Sequence, residues 1–368
     1  MLPVLPDGDC RGVRLKDSGW SQRLPLNIPS IRDTILPMYS LTGGARRTLI
    51  LLLLLAASLV AQEASAPVPG VEAEENEEGG FVFRSQVEEV VLYATVADRR
   101  QKLVTGLGRE AFRVFENGVP QPIHSFARED VPVALAIVVD NSASMASKRA
   151  AVASAALNLI RAGNPEDEVC VINFNGVAIL DQDFTADIGL LQAALNNLET
   201  RGPTALYDAV AAAGKHLMKA SHRQKKVILM VTDGEDTASR LTLERAVRLI
   251  AVEGGPAVYA IGIMGGGQKP GSGRRALRRL AEQSGGAAYF PGRLDEVEEI
   301  ARQIARDIRG QYMIGYRPSL RPGDRSWHEI RVTARARGWR NLTVRTRSGY
   351  YAGGPSKAQA EKAPAAVR

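Results

Sequence analysis

Cysteine and histidine are scarce in this chain of 368 residues, which holds two of the first and four of the second. Two thiols, Cys10 and Cys170, cannot build a disulfide scaffold or a cysteine-based zinc centre. His124, His216, His222 and His328 leave little material for a histidine-rich catalytic centre. No apolar run reaches the ~20 residues that span a bilayer as a helix. Aromatics make up only 5%, but 45% hydrophobic and 24% charged residues is the balance of a folded, soluble protein. It excludes a disordered polymer and a polytopic membrane protein. Neither charge sign dominates, and a formal +7 does not by itself indicate nucleic acid binding. At roughly 100–200 residues per domain the length accommodates two domains plus tails.

Near the amino terminus Arg46-Arg47 precede the apolar run Leu49–Ala61, and Ala64-Ser65-Ala66 follows. Basic, apolar, then small is the order of a secretory signal peptide. Met38 gives that signal a normal length, which makes 1–37 a surplus prefix and 38–66 the leader. Residues 67–79 carry five glutamates among Pro and Gly and read as an acidic linker. At the other end, 301–350 contain twelve Arg against three acids, the pattern of alternating exposed strand residues more than of a polyanion surface. From 353 to 368, Ala, Lys, Pro and Gly suggest a disordered tail.

Residues 80–128 read as a β-rich module. Val90–Val96 is β-branched and apolar, Phe112–Phe115 alternates, and Asn117-Gly118 is the pair a tight hairpin prefers. Pro120 and Pro122 make the next stretch an edge or a connection rather than a central strand. From 131 to 310 short apolar strands alternate with helices, beginning with the unbroken run Val133–Val139. The fold class expected is α/β, a doubly wound and mostly parallel sheet with helices on both faces, flanked by β-rich segments. Strand periodicity returns over 311–352, and those strands are expected to pair with the amino-terminal β module. Cys170 falls inside Val169–Phe174, a buried-strand pattern.

In open α/β sheets ligands gather at the carboxyl ends of the strands. Here those ends offer Asp140-Asn141-Ser142-Ala143-Ser144, then Gly202-Pro203-Thr204, then Thr232-Asp233-Gly234. Two carboxylates and three hydroxyls, without sulfur or imidazole, suit a hard divalent cation. A near-neutral site of this kind can accept one further carboxylate from outside.

Asp140-x-Ser142-x-Ser144, Thr204 and Asp233 resemble the metal-ion-dependent adhesion site of von Willebrand factor type A domains. Thr204-Ala205-Leu206-Tyr207-Asp208-Ala209 and Leu229-Met230-Val231-Thr232-Asp233-Gly234 are similar to its surroundings. The resemblance implies Mg2+ as the cofactor, with Mn2+ or Ca2+ as alternatives. It further implies direct ligation by Ser142, Ser144 and Thr204, with Asp140 and Asp233 acting mainly through water. The partner implied is a protein offering an Asp or Glu carboxylate. Val104–Leu107, Phe112–Gln121, Gln311–Pro318 and Arg347–Tyr351 resemble the flanks of a bacterial secreted group of such proteins. Two positions depart from the pattern: Pro203 stands where relatives often have Gly or another small residue, and Gln101 where they tend to have a turn Gly.

Ser142 or Ser144 could instead cap the following helix. Asp236 and Glu235 read as solvent-facing or capping, and Asp208 as a first-turn carboxylate favouring the helix dipole or buttressing the site. An enzyme finds little support: no phosphate loop, no G-x-S-x-G elbow, and Ser142 where an acid-loop phosphatase wants a second carboxylate. The expectation is therefore a non-enzymatic, exported adhesion or assembly module, periplasmic or extracellular, with no nucleic acid partner and no membrane span once the signal is removed. A structural envelope component with a non-functional site is the alternative, and a metal-dependent hydrolase a more distant one.

Overall fold

The computed structural model describes residues 71–75, 81–85, 89–128, 130–196, 202–263, 271–318 and 324–353. The expected leader, and the tail beyond residue 353, lie outside the described residues. Two strands, β1 (Val71–Glu75) and β2 (Phe81–Ser85), form an antiparallel pair of their own. Part of the acidic stretch read as linker is thus extended and paired, consistent with the two-residue alternation of Val71-Glu72-Ala73-Glu74.

The second unit begins with β3 (Val90–Ala97), β4 (Phe112–Glu116), β5 (Val119–Gln121) and β6 (Ile123–Ala127). After a long α/β stretch come β13 (Tyr312–Tyr316), β14 (Trp327–Ala334), β15 (Thr343–Arg345) and β16 (Gly349–Tyr351). These eight strands interleave as two antiparallel sheets, β15-β3-β13-β6 and β16-β14-β4-β5. One core joins them, including Leu92, Val96, Phe112, Val114, Tyr312, Ile314 and Tyr350. The carboxyl-terminal strands therefore do pair with the amino-terminal ones. Asn117 and Gly118 take φ of +50° and +79°, the left-handed pair a two-residue hairpin turn requires. Pro120 lies in β5, an edge strand where its missing N–H is tolerated.

Between the two halves lies a six-stranded sheet ordered β12-β11-β10-β7-β8-β9. Its strands are β7 (Val133–Asp140), β8 (Glu168–Phe174), β9 (Ala178–Thr185), β10 (Lys225–Thr232), β11 (Ala257–Gly262) and β12 (Ala288–Tyr289). All pairings are parallel except β8 with β9, the antiparallel edge. Every residue of β7 is buried because successive side chains feed opposite cores. Leu135, Ile137 and Val139 meet α1 (Arg149–Arg161), α2 (Ile188–Asn196) and α6 (Glu296–Arg309). Ala134, Ala136 and Val138 meet α3 (Leu206–Ala220), α4 (Leu243–Ile250) and α5 (Ser272–Ser284). Cys170 lies in this second core, and burial pushes its thiol pKa far up, so it is a packing residue. Among the described residues no helix is long and apolar enough to cross a membrane.

Of the arginines near the end of the chain, Arg331 is exposed on β14 as strand alternation expects, while others are committed to partners in the fold. Arg345 pairs with Asp307 at 2.6 Å, and Arg309 with Asp130 at 2.8 Å. Arg347 donates to the carbonyls of Val252 and Gly255, and Arg331 lies 4.2 Å from the Phe115 ring centroid.

Gln101, where a glycine is usual, adopts φ +60° in the turn after β3. Asp98 holds that turn by accepting from the N–H groups of Arg100 and Lys102 at 2.8 and 2.9 Å. A left-handed glutamine is strained, so Gln101→Gly is expected to stabilise the protein by about 0.5–1 kcal/mol. Thermal denaturation checks this, and an unchanged or lower midpoint would show that the turn stores no strain.

Lys225 opens β10 yet is only 4% exposed. Its ammonium donates to the Ile308 carbonyl and lies 5.2 Å from the Tyr93 ring centroid, linking the parallel sheet to α6 and β3. Burial depresses its pKa from 10.5 to about 8, against the opposing pull of Asp130 and Asp167. The folded chain releases this proton more readily than the unfolded one, so stability from this group rises as pH climbs from about 8 towards 10.5. Urea denaturation across that window should give wild type a gain on the order of 2–3 kcal/mol over Lys225→Met. Parallel pH profiles for the two proteins would contradict it.

Candidate functional site

β7 lies between β8, reached first by the chain, and β10, reached later on the other side. The strand order therefore reverses at β7/β10, the place where open α/β sheets form their ligand crevice beyond the carboxyl ends of the strands. All five residues expected to act together are found there.

Asp140 ends β7 with 0% exposure. Its Oδ1 accepts from the Ser142 N–H at 2.9 Å, and its Oδ2 accepts from the Thr232 hydroxyl at 2.5 Å. Thr232 is the last residue of β10, so this bond ties the two strand ends together. Burial raises the Asp140 pKa; the bonds from Thr232 and Ser142 pull it back, while the charge of Asp233 adds to the rise.

Ser142 precedes, and Ser144 lies within, a single 3-10 turn, Ala143–Met145, that leads into α1. Neither hydroxyl caps a helix: no side-chain cap bond forms at that turn or at the start of α1. Instead the two oxygens lie 3.2 Å apart, and Ser144 donates to Asp233 Oδ1 at 2.8 Å. Both hydroxyls thus face the crevice.

Thr204 is 6% exposed and firmly held. Its N–H donates to Thr237 Oγ1 at 3.0 Å, and its carbonyl accepts from the N–H groups of Thr237 and Ala238 at 2.8 and 3.1 Å. Gly202, at φ +91°, turns the chain so that Pro203 leads Thr204 into the loop after β10. A Cβ at Gly234 would stand 3.6 Å from Thr204 Oγ1 and 3.9 Å from Asp140 Oδ2. The glycine therefore leaves open the space that the threonine hydroxyl and the aspartate flank.

The loop after β10 is braced by carboxylates that do not face the crevice. Asp208 accepts from the N–H groups of Arg240 and Leu241 at 3.0 and 2.9 Å, so it anchors this loop in addition to sitting in the first turn of α3. The N–H groups of Tyr207 and Asp208 donate to Ser239 Oγ, which itself donates to Asp236. Glu235 accepts from the Gly273 N–H at 3.4 Å, at the start of α5. Asp236 and Glu235 thus act as braces and caps. His216 pairs with Asp183 at 2.8 Å and stacks on Phe184, away from the two serines.

Lys148 was not anticipated from sequence. Its ammonium contacts Asp233 Oδ2, and the two side chains are 19% and 3% exposed. A lysine four residues beyond Ser144 is visible in the sequence, but only the turn at 143–145 shows that it folds back over the strand ends.

The donor set is wholly oxygen. Among the described residues no three His, Cys, Asp or Glu side chains group to hold a metal. Any cation here would therefore rest on hydroxyls as much as on the two carboxylates. Such a set fits a hard ion and not a soft one, and the ammonium on Asp233 shows that the position already draws positive charge.

Residues 135–235 match the family model of the von Willebrand factor type A domain. No curated protein matches the chain. Among solved structures, a von Willebrand factor type A protein from Catenulispora acidiphila is 16% identical, covering 76% of this chain and 78% of that one, with a TM-score of 0.45. Proximal thread matrix protein 1 from the mussel byssus, with a zinc-occupied MIDAS motif, is 17% identical over 52% of this chain and 49% of that one, at a TM-score of 0.43. The von Willebrand factor domain of the type V pili tip protein Mfa5 from Porphyromonas gingivalis is 20% identical over 29% of this chain and 40% of its own, at 0.27. Inserted between the two halves of the β-sandwich, this chain carries a von Willebrand factor type A domain.

Proposed function

We propose that this protein is an exported interaction module that takes an acidic side chain of a protein partner through a divalent cation. The observation that carries this reading is the convergence of Asp140, Ser142, Ser144, Thr204 and Asp233 on one crevice, with both serine hydroxyls turned away from capping. The same five residues would hold Mg2+, and the ion would supply a positive centre able to accept a carboxylate from outside. The chain's own residues do the rest. Thr232 fixes Asp140, Ser144 and Asp233 fix each other, and the Thr237–Ala238 backbone fixes Thr204. Such preorganisation lowers the ordering cost of binding. Export rests on the basic, apolar and small segments at Arg46-Arg47, Leu49–Ala61 and Ala64-Ser65-Ala66.

Calorimetric titration with Mg2+ and Mn2+ tests the site. Asp140→Asn keeps an acceptor for the Ser142 N–H and faces a Thr232 hydroxyl that can also accept, so stability should change by no more than about 1 kcal/mol. Saturable binding in wild type that is lost in Asp140→Asn and in Asp233→Ala is the expected result. Equal binding in all three proteins would place the cation elsewhere.

The Lys148–Asp233 pair favours a second reading, a structural component in which the ammonium takes the place of a metal. Replacing the lysine separates the two. If the site takes a cation, Lys148→Met removes an internal competitor and should raise Mn2+ affinity about threefold to tenfold. If the ion pair is structural, Lys148→Met instead lowers the thermal midpoint with no gain in cation binding.

A further inference from the structure

The charge on the α4/α5 face is not accounted for by the fold. α4 carries Arg245 and Arg248, and α5 carries Arg274, Arg275, Arg278 and Arg279. Against these six arginines stand Glu244 and Glu282, so 21 residues hold a net four of the chain's formal +7. Within α5 the arginines recur at i and i+4, where like charges repel along a helix face. On α6 the opposite holds. Arg302 pairs with Glu298 and Glu299 at 2.7 and 2.9 Å, and Arg306 pairs with Glu299 at 2.9 Å. On α5, Arg279 reaches Glu244 at 3.7 Å, whereas among the described residues no carboxylate forms an ion pair with Arg274, Arg275 or Arg278. Glu235 lowers its own pKa by accepting from Ser272 and Gly273, with Arg275 a lesser influence.

Two of these guanidiniums are positioned by an aromatic ring. Arg274 and Arg278 lie 4.4 and 5.4 Å from the Phe290 ring centroid, a stack that orders both groups. Ordered guanidiniums present forked donors that match carboxylates.

The ridge also begins where the candidate cation site ends. A Cβ at Gly273, in the first turn of α5, would stand 3.1 Å from the Gly234 carbonyl and 3.3 Å from Glu235 Cα. Arg274 and Arg275 are therefore the next side chains along the surface from the Asp233–Gly234 loop.

We propose that the α5 ridge of Arg274, Arg275 and Arg278 is the second half of the partner surface, and that it takes an extended acidic protein segment leading on from the carboxylate bound at the cation site. This rests on the cation-site reading for its starting point and on the arginines for its direction. Residues i and i+4 of a helix are about 6 Å apart along its axis. In an extended chain, residues i and i+2 on one face are separated by about 6.5 Å. The matching partner is therefore a strand-like segment with Asp or Glu at every second position.

The test uses the full chain and a fluorescein-labelled (Glu-Ser)5 peptide, followed by anisotropy with Mg2+ and with chelator. The double reversal Arg275→Glu/Arg278→Glu should weaken peptide binding about tenfold or more. A control reversal on the sandwich, Arg335→Glu/Arg337→Glu, carries the same charge change and should weaken it less than about threefold. Mn2+ titration without peptide should be unchanged in both, which shows that the folded site persists. Equal losses in the two reversals, or none in either, would overturn the ridge. Tighter binding of a heparin fragment or duplex DNA than of the peptide, lost in the α5 reversal, would overturn the acidic-protein occupant in favour of another polyanion. If chelator and Asp140→Asn leave peptide affinity unchanged while the α5 reversal destroys it, the ridge stands and the cation-site reading falls.

Discussion

A carboxylate with no solvent exposure, held at the reversal point of a parallel sheet, governs this structure. Asp140 is costly to bury, and its surroundings are organised to offset that cost. A hydroxyl from the neighbouring strand end and an amide from its own loop both donate to it. Because the hydroxyl donor belongs to β10, the bond that satisfies the acid also fixes the relative height of the two strand ends. The residue that follows, Asp233, is thereby brought across from Ser144. One electrostatic problem thus sets the placement of three further side chains. A second negative charge beside the first makes the crevice a place where positive charge is stabilised, and Lys148 meets that demand from within the chain.

Much of this was legible in the sequence. The unbroken apolar run Val133–Val139 marks a strand covered on both faces, and the two cores that receive its alternate side chains follow from that pattern. Asp140, Ser142, Ser144, Thr204 and Asp233 could be placed together because strand ends in such a sheet share one edge. Asn117-Gly118 marked its hairpin for a local steric reason. What the sequence withheld depends on distance in space. Thr232 reads as an ordinary strand-end residue until its hydroxyl is seen opposite Asp140. Asp208 reads as a helix-start carboxylate, and only the return of the 240–241 backbone gives its oxygens partners. Lys148 meets Asp233 only because the preceding turn aims it there. Among the dense carboxyl-terminal arginines, Arg345 and Arg347 are committed to internal partners that only the folded chain brings near. On α5, among the described residues, Arg274, Arg275 and Arg278 form no ion pair with a carboxylate.

The sandwich adds a constraint of its own. Glu116 is 3% exposed and accepts from the hydroxyls of Tyr316 and Tyr350 at 3.0 and 2.8 Å, with His328 3.2 Å away. Glu116 lies on β4 and those partners on β13, β14 and β16, so one buried acid gathers strands from before and after the inserted domain. A fully satisfied buried network of this kind favours a single arrangement of the two sheets.

The way the chain enters and leaves the α/β domain has a mechanical consequence. β6 and β13 are neighbouring antiparallel strands, with Ala127 opposite Met313, so the two connections emerge side by side. Tension applied between residues 89 and 353 would therefore fall first on the interlocked sandwich strands, to which the inserted domain is joined by two adjacent connections and braced by Arg345 on Asp307 and Arg347 on the Val252 and Gly255 carbonyls. Its strand ends would keep their spacing under a load that the sheets beneath them resist in shear. A chain built this way can be pulled at its ends without first distorting the strand-end surface of the inserted domain.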